Sequence, residues 1–279
     1  MLDKGPIISR LVETLSSNPH VHGIVLGGSR GLGIATKSSD YDFVIWYEDE
    51  FPVTNQSVVG NLKTVVENIK PTRSVGRLSG TVDGAGFEFF YKSLTEVERR
   101  IHEAKQGTFY LEASQYSPQG RLNLELISFL VNYPILWERD SRLTRMKSYA
   151  LPMPLALQDK MLDTSFRGAI VALSKAAKVT KIDMHITYLL SYCSLFIWHL
   201  EIALFAINDK YPILAKGTIE IIESLKIHPR SLRKREQEIL KSCLAGNVKE
   251  CLGGMQQLMH EVMSLAGVDR LIKLGVITR

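Results

Sequence analysis

Long apolar runs are missing. No uninterrupted stretch reaches the ~20 apolar residues that a membrane span needs, and the N-terminal MLDKGPIISRL lacks the apolar core of a signal peptide. The expectation is a cytoplasmic chain with no membrane partner. Cysteine is scarce as well. Cys193, Cys243 and Cys251 are an odd number with no Cys-x-x-Cys spacing, and all three fall in segments of helical pattern. That argues against a disulfide framework and a zinc site and leaves buried free thiols. His20 and His22 have no thiol near them in sequence, so zinc is not expected there either. Internal repeats and low-complexity segments are absent. The charge imbalance is small, at +5 with a pI near 9.0; it favours polyanions such as nucleotides without by itself indicating nucleic acid.

What is present is enough apolar material for a core, 45% of 279 residues, which suits one large domain or two smaller ones. The pattern changes near residue 115. Before it, strand and helix signals alternate. Ile8, Leu11, Val12 and Leu15 form a helical stripe, VHGIVLGG and DYDFVIWY read as strands, and Val58, Val59, Leu62, Val65, Val66 and Ile69 space as a helix. RLSGTVDGAGFEFFYKS reads as a hairpin with glycines at its turn, and TEVERRIHEA as a helix. After residue 115 nearly every segment has helical spacing. Pro152 and Pro154 precede a long helix, since proline is tolerated in a first turn. The fold class is α+β: a small mixed β-sheet domain with flanking helices over 1–115, then an all-α domain over 116–279.

The stretch LGGSRGLGIATKSSDYDFVIW, Leu26–Trp46, has two readings. Its glycines copy the turn of a dinucleotide fold, which brings a pyrophosphate to the N-terminus of a helix of ten or more residues. Only Ile34–Ser39 separate Gly33 from Asp40, which leaves no room for that helix. No tyrosine in the chain has a lysine four positions on, so the Tyr-x-x-x-Lys pair of short-chain dehydrogenases is missing too. The second reading starts from the carboxylates. Side chains alternate along a strand, so Asp40 and Asp42 share one face about 7 Å apart. Two carboxylates on one strand edge suit magnesium, although an isolated Asp-x-Asp is usually only solvated.

Gly-Gly-Ser, some ten residues, then Asp-x-Asp entering an apolar strand resembles the signature of the nucleotidyltransferase superfamily, which includes the aminoglycoside adenylyltransferases. The segments GFEFFYKSLTEVERRI, ILWERDSRLTRMKSYALPMPL and LEIALFAINDKYPILAK resemble bacterial members with a helical C-terminal half. The resemblance runs over most of Gly23 to Lys216.

It implies transfer of a nucleoside monophosphate from a nucleoside triphosphate, ATP first among them, to a hydroxyl of a small-molecule acceptor, with pyrophosphate leaving. By position, Gly27 and Gly28 let the backbone approach the triphosphate, and Ser29 and Ser39 bond phosphate oxygens. Lys216 matches a lysine position near the end of the resemblance and reaches the triphosphate if it is not simply solvated. Arg30 sits where members vary and is at most a phosphate contact. Asp40, Asp42 and a third carboxylate hold two Mg2+ ions. Glu88 is the candidate third, because a lone charge between Phe87 and Phe89 is costly to bury without a cation. It doubles as candidate general base, although relatives commonly carry aspartate there. Asp83 is its rival, at an Asp-Gly turn where aspartate is common for backbone reasons. Glu138, Asp163 and Glu201 are further acids that could meet the acceptor, for which the helical domain forms the far wall of a cleft. The basic run with Arg230, Arg233, Lys234 and Arg235 is interrupted by Glu236 and Glu238 and reads as a solvated helix face more than an RNA site. Two other functions stay open: an antitoxin-like enzyme that modifies a partner protein, and a nucleotide sensor without turnover. Protein and RNA ends stay open as acceptors.

Overall fold

The computed structural model describes residues 6–48, 62–71, 77–114, 117, 119–179, 185–214 and 217–278. In chain order these form α1 (Pro6–Ser16), β1 (Val21–Leu26), α2 (Gly28–Gly31), β2 (Tyr41–Tyr47), β3 (Glu67–Pro71), β4 (Arg77–Val82), β5 (Ala85–Ser93) and α3 (Leu94–Lys105). There follow β6 (Leu111–Glu112), β7 (Arg121–Leu122), α4 (Glu125–Asn132), β8 (Ile135–Glu138) and α5 (Arg142–Ala150). The rest is helical: α6 (Leu155–Ala176), α7 (Ile186–Ile207), α8 (Thr218–Ser224), α9 (Leu232–Leu244), α10 (Val248–Ala266) and α11 (Val268–Lys273). The fold is α+β with its helices mostly in the C-terminal half.

Two compact units result, Met1–Glu103 with Leu124–Pro152, and Ala104–Asn123 with Met153–Arg279. This division differs from a single cut at 115/116. The reason is β8, a short apolar strand that returns to the first unit's sheet.

That sheet has the order β3-β4-β5-β2-β1-β8. β2 and β5 run parallel, and the other neighbours are antiparallel. Alternation along β2 splits its residues cleanly. Phe43 and Ile45 face a core built with Ile24, Leu26, Leu78, Phe87 and Phe89, closed by Ile8, Leu11 and Leu15 of α1. The apolar stripe of α1 read from the sequence is thus the face it buries. Aromatic rings form a ladder through this core, with Tyr41 on Phe87 at 4.8 Å and Phe43 on Phe89 at 5.7 Å. Val44 and Trp46, also buried, point the other way, and Asp40 and Asp42 share their parity.

The β4–β5 hairpin turns where expected. Asp83 and Gly84 both take positive φ, 50° and 79°, the backbone of the tight hairpin turn for which Asp-Gly is favoured. One expectation fails. The helix spaced over residues 58–69 lies partly outside the described residues, and its end is strand β3 instead. Leu62 and Val66 are still buried in the core, but from Glu67 the chain pairs with β4, Glu67 opposite Thr81 and Lys70 opposite Ser79. The ladder bonds to β4 outweigh a local helical pattern. β8 joins the far edge beside β1, Ile24 opposite Trp137. Arg139, just after it, donates to the carbonyls of Ser16, Asn18 and Val21 and ties it to the α1–β1 turn.

In the second unit α6 packs on α7, and α9 and α10 also pack on α7. Gly168 permits the close approach of α6 to α7, since a methyl there would overlap the His199 ring. α7 is 22 residues long with mean hydropathy 1.7, so by length and composition it could cross a membrane; 56% of its apolar window is buried against its neighbours. This modifies the sequence-based expectation, which counted only uninterrupted apolar residues. The three cysteines are buried and free. Cys193 of α7 and Cys251 of α10 stand with their Sγ atoms 3.4 Å apart, and Met255 Sδ lies 3.9 Å from Cys193.

Candidate active site

β1 ends in a turn that requires glycine at Gly28. Gly27 donates its N–H to the Asp42 carbonyl at 2.7 Å, which continues the β1–β2 ladder by one bond. Gly28 then takes φ +57°, and an added Cβ would overlap Asp42 Oδ2. Gly31 is packed as tightly, under the Leu26 carbonyl and against the Tyr133 ring. The helix that follows, α2, has four residues, and β2 returns antiparallel to β1. A dinucleotide fold needs a long helix and a parallel return, so that reading of the glycines is closed.

The loop back to β2 is fastened from within. Ser39 Oγ accepts from the Thr36 N–H at 2.9 Å, and the Ser39 carbonyl accepts from Arg30 Nε and Nη2 at 3.1 and 2.7 Å. The Arg30 guanidinium also lies 3.8 Å over the Tyr41 ring. Arg30 and Ser39 therefore order the loop that delivers Asp40. Ser29 sits half-buried in the first turn of α2.

Asp40 is exposed and Asp42 half-buried. Each carboxylate lies against a glycine: Asp42 over Gly28, and Asp40 over Gly86 of β5, where a Cβ would overlap Asp40 Oδ1. Glu88 is the register partner of Asp42 on β5, so the sheet brings these two side chains to one face. The expected cation beside Glu88 is present, and it is a side chain: Arg77 Nη2 donates to Glu88 Oε2. Among the described residues no three His, Cys, Asp or Glu side chains converge as a metal site. Glu88, the expected third ligand, is paired with Arg77 in this structure. The remaining pair, Asp40 and Asp42, offers only oxygen donors beside glycine backbone and fits a hard divalent cation such as magnesium. Lys216 lies outside the described residues.

Two neighbours escaped the sequence reading. Tyr133, just before β8, is buried; burial first, and then the negative charge of Asp42, push its phenol up to about 12. Arg77 was legible in principle: a turn at Asp83-Gly84 fixes Ser79 opposite Glu88, which puts Arg77 on the same face one step away.

The other acids named from the sequence have surroundings of their own. Asp83 sits at its turn, 3.4 Å from Arg10. Glu138 accepts from the Thr144 N–H at 2.9 Å, and Asp163 pairs with Arg167 and Lys160. Glu201 is raised to about 7 by burial, and Glu236 to about 8 by burial and then by the charges of Glu201 and Glu223. Three members of the basic run are matched by acids: Arg233 with Glu220 at 2.6 Å and Glu223 at 3.7 Å, Lys234 with Glu238 at 3.7 Å, and Arg235 with Glu261. It is an ion-paired helix face, as the interrupted charge pattern implies.

Residues 8–107 match the nucleotidyltransferase domain family. No curated protein matches the chain in sequence. Among solved structures, a nucleotidyltransferase-like protein from Exiguobacterium sibiricum 255-15 is similar at 11% identity and a TM-score of 0.44, over 97% of this chain and 79% of that one. A likeness that loose has no bearing on function. The family match, by contrast, contains the Gly27-Gly28 turn, β2 with its two aspartates, and the β4–β5 hairpin. Over residues 8–107 the chain is therefore similar to the nucleotidyltransferase domain family.

Proposed function

We propose that the protein transfers a nucleoside monophosphate, from ATP before other nucleoside triphosphates, to a hydroxyl of a small-molecule acceptor. The observation that carries this reading is the packing of Asp42 over Gly28 and of Asp40 over Gly86, inside the segment that matches the family. Gly27 and Gly28 admit the triphosphate close to the backbone, with Ser29 as hydroxyl donor. Asp40 and Asp42 are assigned to magnesium, which when bound neutralises charge on the triphosphate and activates the attacking oxygen. The acceptor oxygen forms a bond to the α-phosphorus in line, the bond to pyrophosphate breaks, and the hydroxyl proton passes to a carboxylate on this face. Arg30 and Ser39 keep the loop ordered while this happens.

The test incubates the protein with α-labelled ATP, magnesium and panels of hydroxyl compounds, and measures pyrophosphate and labelled product. Binding is read separately by melting. A ligand at one hundred times its Kd stabilises the folded state by about 2.7 kcal/mol, about 5 °C or more for a chain of this size. A non-hydrolysable ATP analogue with magnesium should give that shift, EDTA should remove most of it, and NADH should give none. A shift with NADH that needs no metal would sink the reading.

A further inference from the structure

Tyr133 is more than nine-tenths buried, with 5% of its surface exposed, and its place is fixed by the chain around it. The Leu26 N–H donates to the Pro134 carbonyl at 3.1 Å and Val25 pairs with Ile135, which seats the end of α4 beside the end of β1, one residue before the Gly27-Gly28 turn. The Tyr133 ring lies against Gly31, where an added Cβ would come within 2.7 Å of its Cδ1. Phe129, one turn back along α4, packs on the same ring with centroids 5.9 Å apart. The short helix α2 therefore meets two side chains, Asp42 at Gly28 and Tyr133 at Gly31. Positions three apart on a helix are neighbours. The charge of Asp42 accordingly reaches the phenol, where it adds to the effect of burial.

The hydroxyl has no part in this packing, since phenylalanine would fill the same space. Among the described residues none hydrogen-bonds to it, and it is not sealed in the core as the unpartnered Tyr91 hydroxyl is. A tyrosine whose ring is buried and whose tip is not normally finds a partner for that tip. Next to a carboxylate assigned to a cation, the partner of matching chemistry is an anionic oxygen that arrives with the cation. A phosphate oxygen accepts from an O–H in a short, charge-assisted bond.

We propose that Tyr133 is a nucleotide-binding residue, its phenol donating a hydrogen bond to a non-bridging phosphate oxygen of the nucleotide held through the cation at Asp40 and Asp42. This rests on the nucleotidyltransferase reading and adds to it a contact from outside the segment that matches the family, which ends at residue 107. No proton is transferred in the contact.

The test is calorimetric titration of the full chain with α,β-methylene ATP in magnesium. Tyr133→Phe keeps the ring against Gly31 and Phe129, so the free variant should melt with the wild type while its Kd for the analogue rises about tenfold, the scale of a hydrogen bond to a charged group. Tyr91→Phe, the same change at a hydroxyl sealed in the core, should bind as the wild type does. Mn2+ affinity without nucleotide, read by electron paramagnetic resonance, should be the same in Tyr133→Phe and the wild type, which separates a contact to phosphate from an effect through Asp42. A measurement on the wild type stands even if the variant does not fold: by tyrosine-selective NMR, the Tyr133 resonance should move when the analogue is added to magnesium-saturated protein. Wild-type affinity in a folded Tyr133→Phe, an equal loss in Tyr91→Phe, a matching loss of Mn2+ affinity, or an unmoved Tyr133 resonance would each overturn the proposal while the wild type binds the analogue. No binding by the wild type would remove the underlying reading together with it.

Discussion

Asp42 Oδ2 occupies the space where a side chain on Gly28 would begin. The carboxylate and the turn are therefore one object, and neither can be changed alone. Gly28→Ala should cost about 1–2 kcal/mol for a left-handed alanine and displace Asp42, lowering turnover by about a hundredfold, the scale of a 1 Å misplacement. Gly33, at φ +74° with nothing within 4 Å of its added Cβ, is the control. Gly33→Ala should carry a similar stability cost and keep turnover. Equal activity loss in both variants would mean that strain, not the carboxylate, is responsible.

Asp40→Asn and Asp42→Asn should each abolish metal-dependent transfer and leave the far-ultraviolet circular dichroism unchanged. Stability in the absence of metal should hold or rise, because one of several clustered negative charges is gone. Asp42→Asn has a further signature. Its charge is one cause of the raised Tyr133 phenol, so in this variant Tyr133 should ionise at lower pH, as read by tyrosine-selective NMR. Normal turnover in either variant would remove the pair from the site.

The second unit should lose stability as pH rises. Glu201 and Glu236 are raised in the folded chain to about 7 and about 8, against about 4.3 for an unfolded glutamate. Their contribution is fully present below the unfolded value. It declines as pH climbs from about 4.3 through 7 and 8, since the unfolded chain releases protons that the folded chain still holds. Glu236→Gln should raise the melting temperature at pH 8.5 by about 2–4 °C per kcal/mol recovered and change little at pH 4. A variant with the same pH slope as the wild type would contradict this.

The thiols should be silent in the folded protein. Cys193, Cys243 and Cys251 have no accessible surface, and Cys193 is pushed well up by its hydrogen bond to Cys251 and by burial. A thiol reagent should titrate none of them natively and all three in denaturant. Rapid native labelling would show that the helices around them open.

Much of the site was legible because it depends on short-range rules. Two aspartates two residues apart must share a strand face, and Asp-Gly between apolar runs must turn a hairpin. The helices of the second half followed from spacing alone. What escaped depends on partners distant in sequence. β3 carries a helical spacing up to Ile69, yet Asn68 takes φ +51° and β4 captures the strand. β8 is four residues long, too short for alternation to mark it, and its partner β1 is more than a hundred residues away in sequence. The pairing of Arg77 with Glu88 required the register as well as the residues.

Because Val25 pairs with Ile135, the order in which the ribosome delivers the chain matters. At about 5–20 residues per second, the segment between them takes roughly 5–20 s to emerge. Throughout that interval β1 can pair with β2 on one side while its other side presents bare backbone donors and acceptors, a template for any neighbouring extended chain. A polypeptide stalled or cut near residue 107, where the family match ends, would keep that edge indefinitely. It should aggregate where one extended through α5 does not.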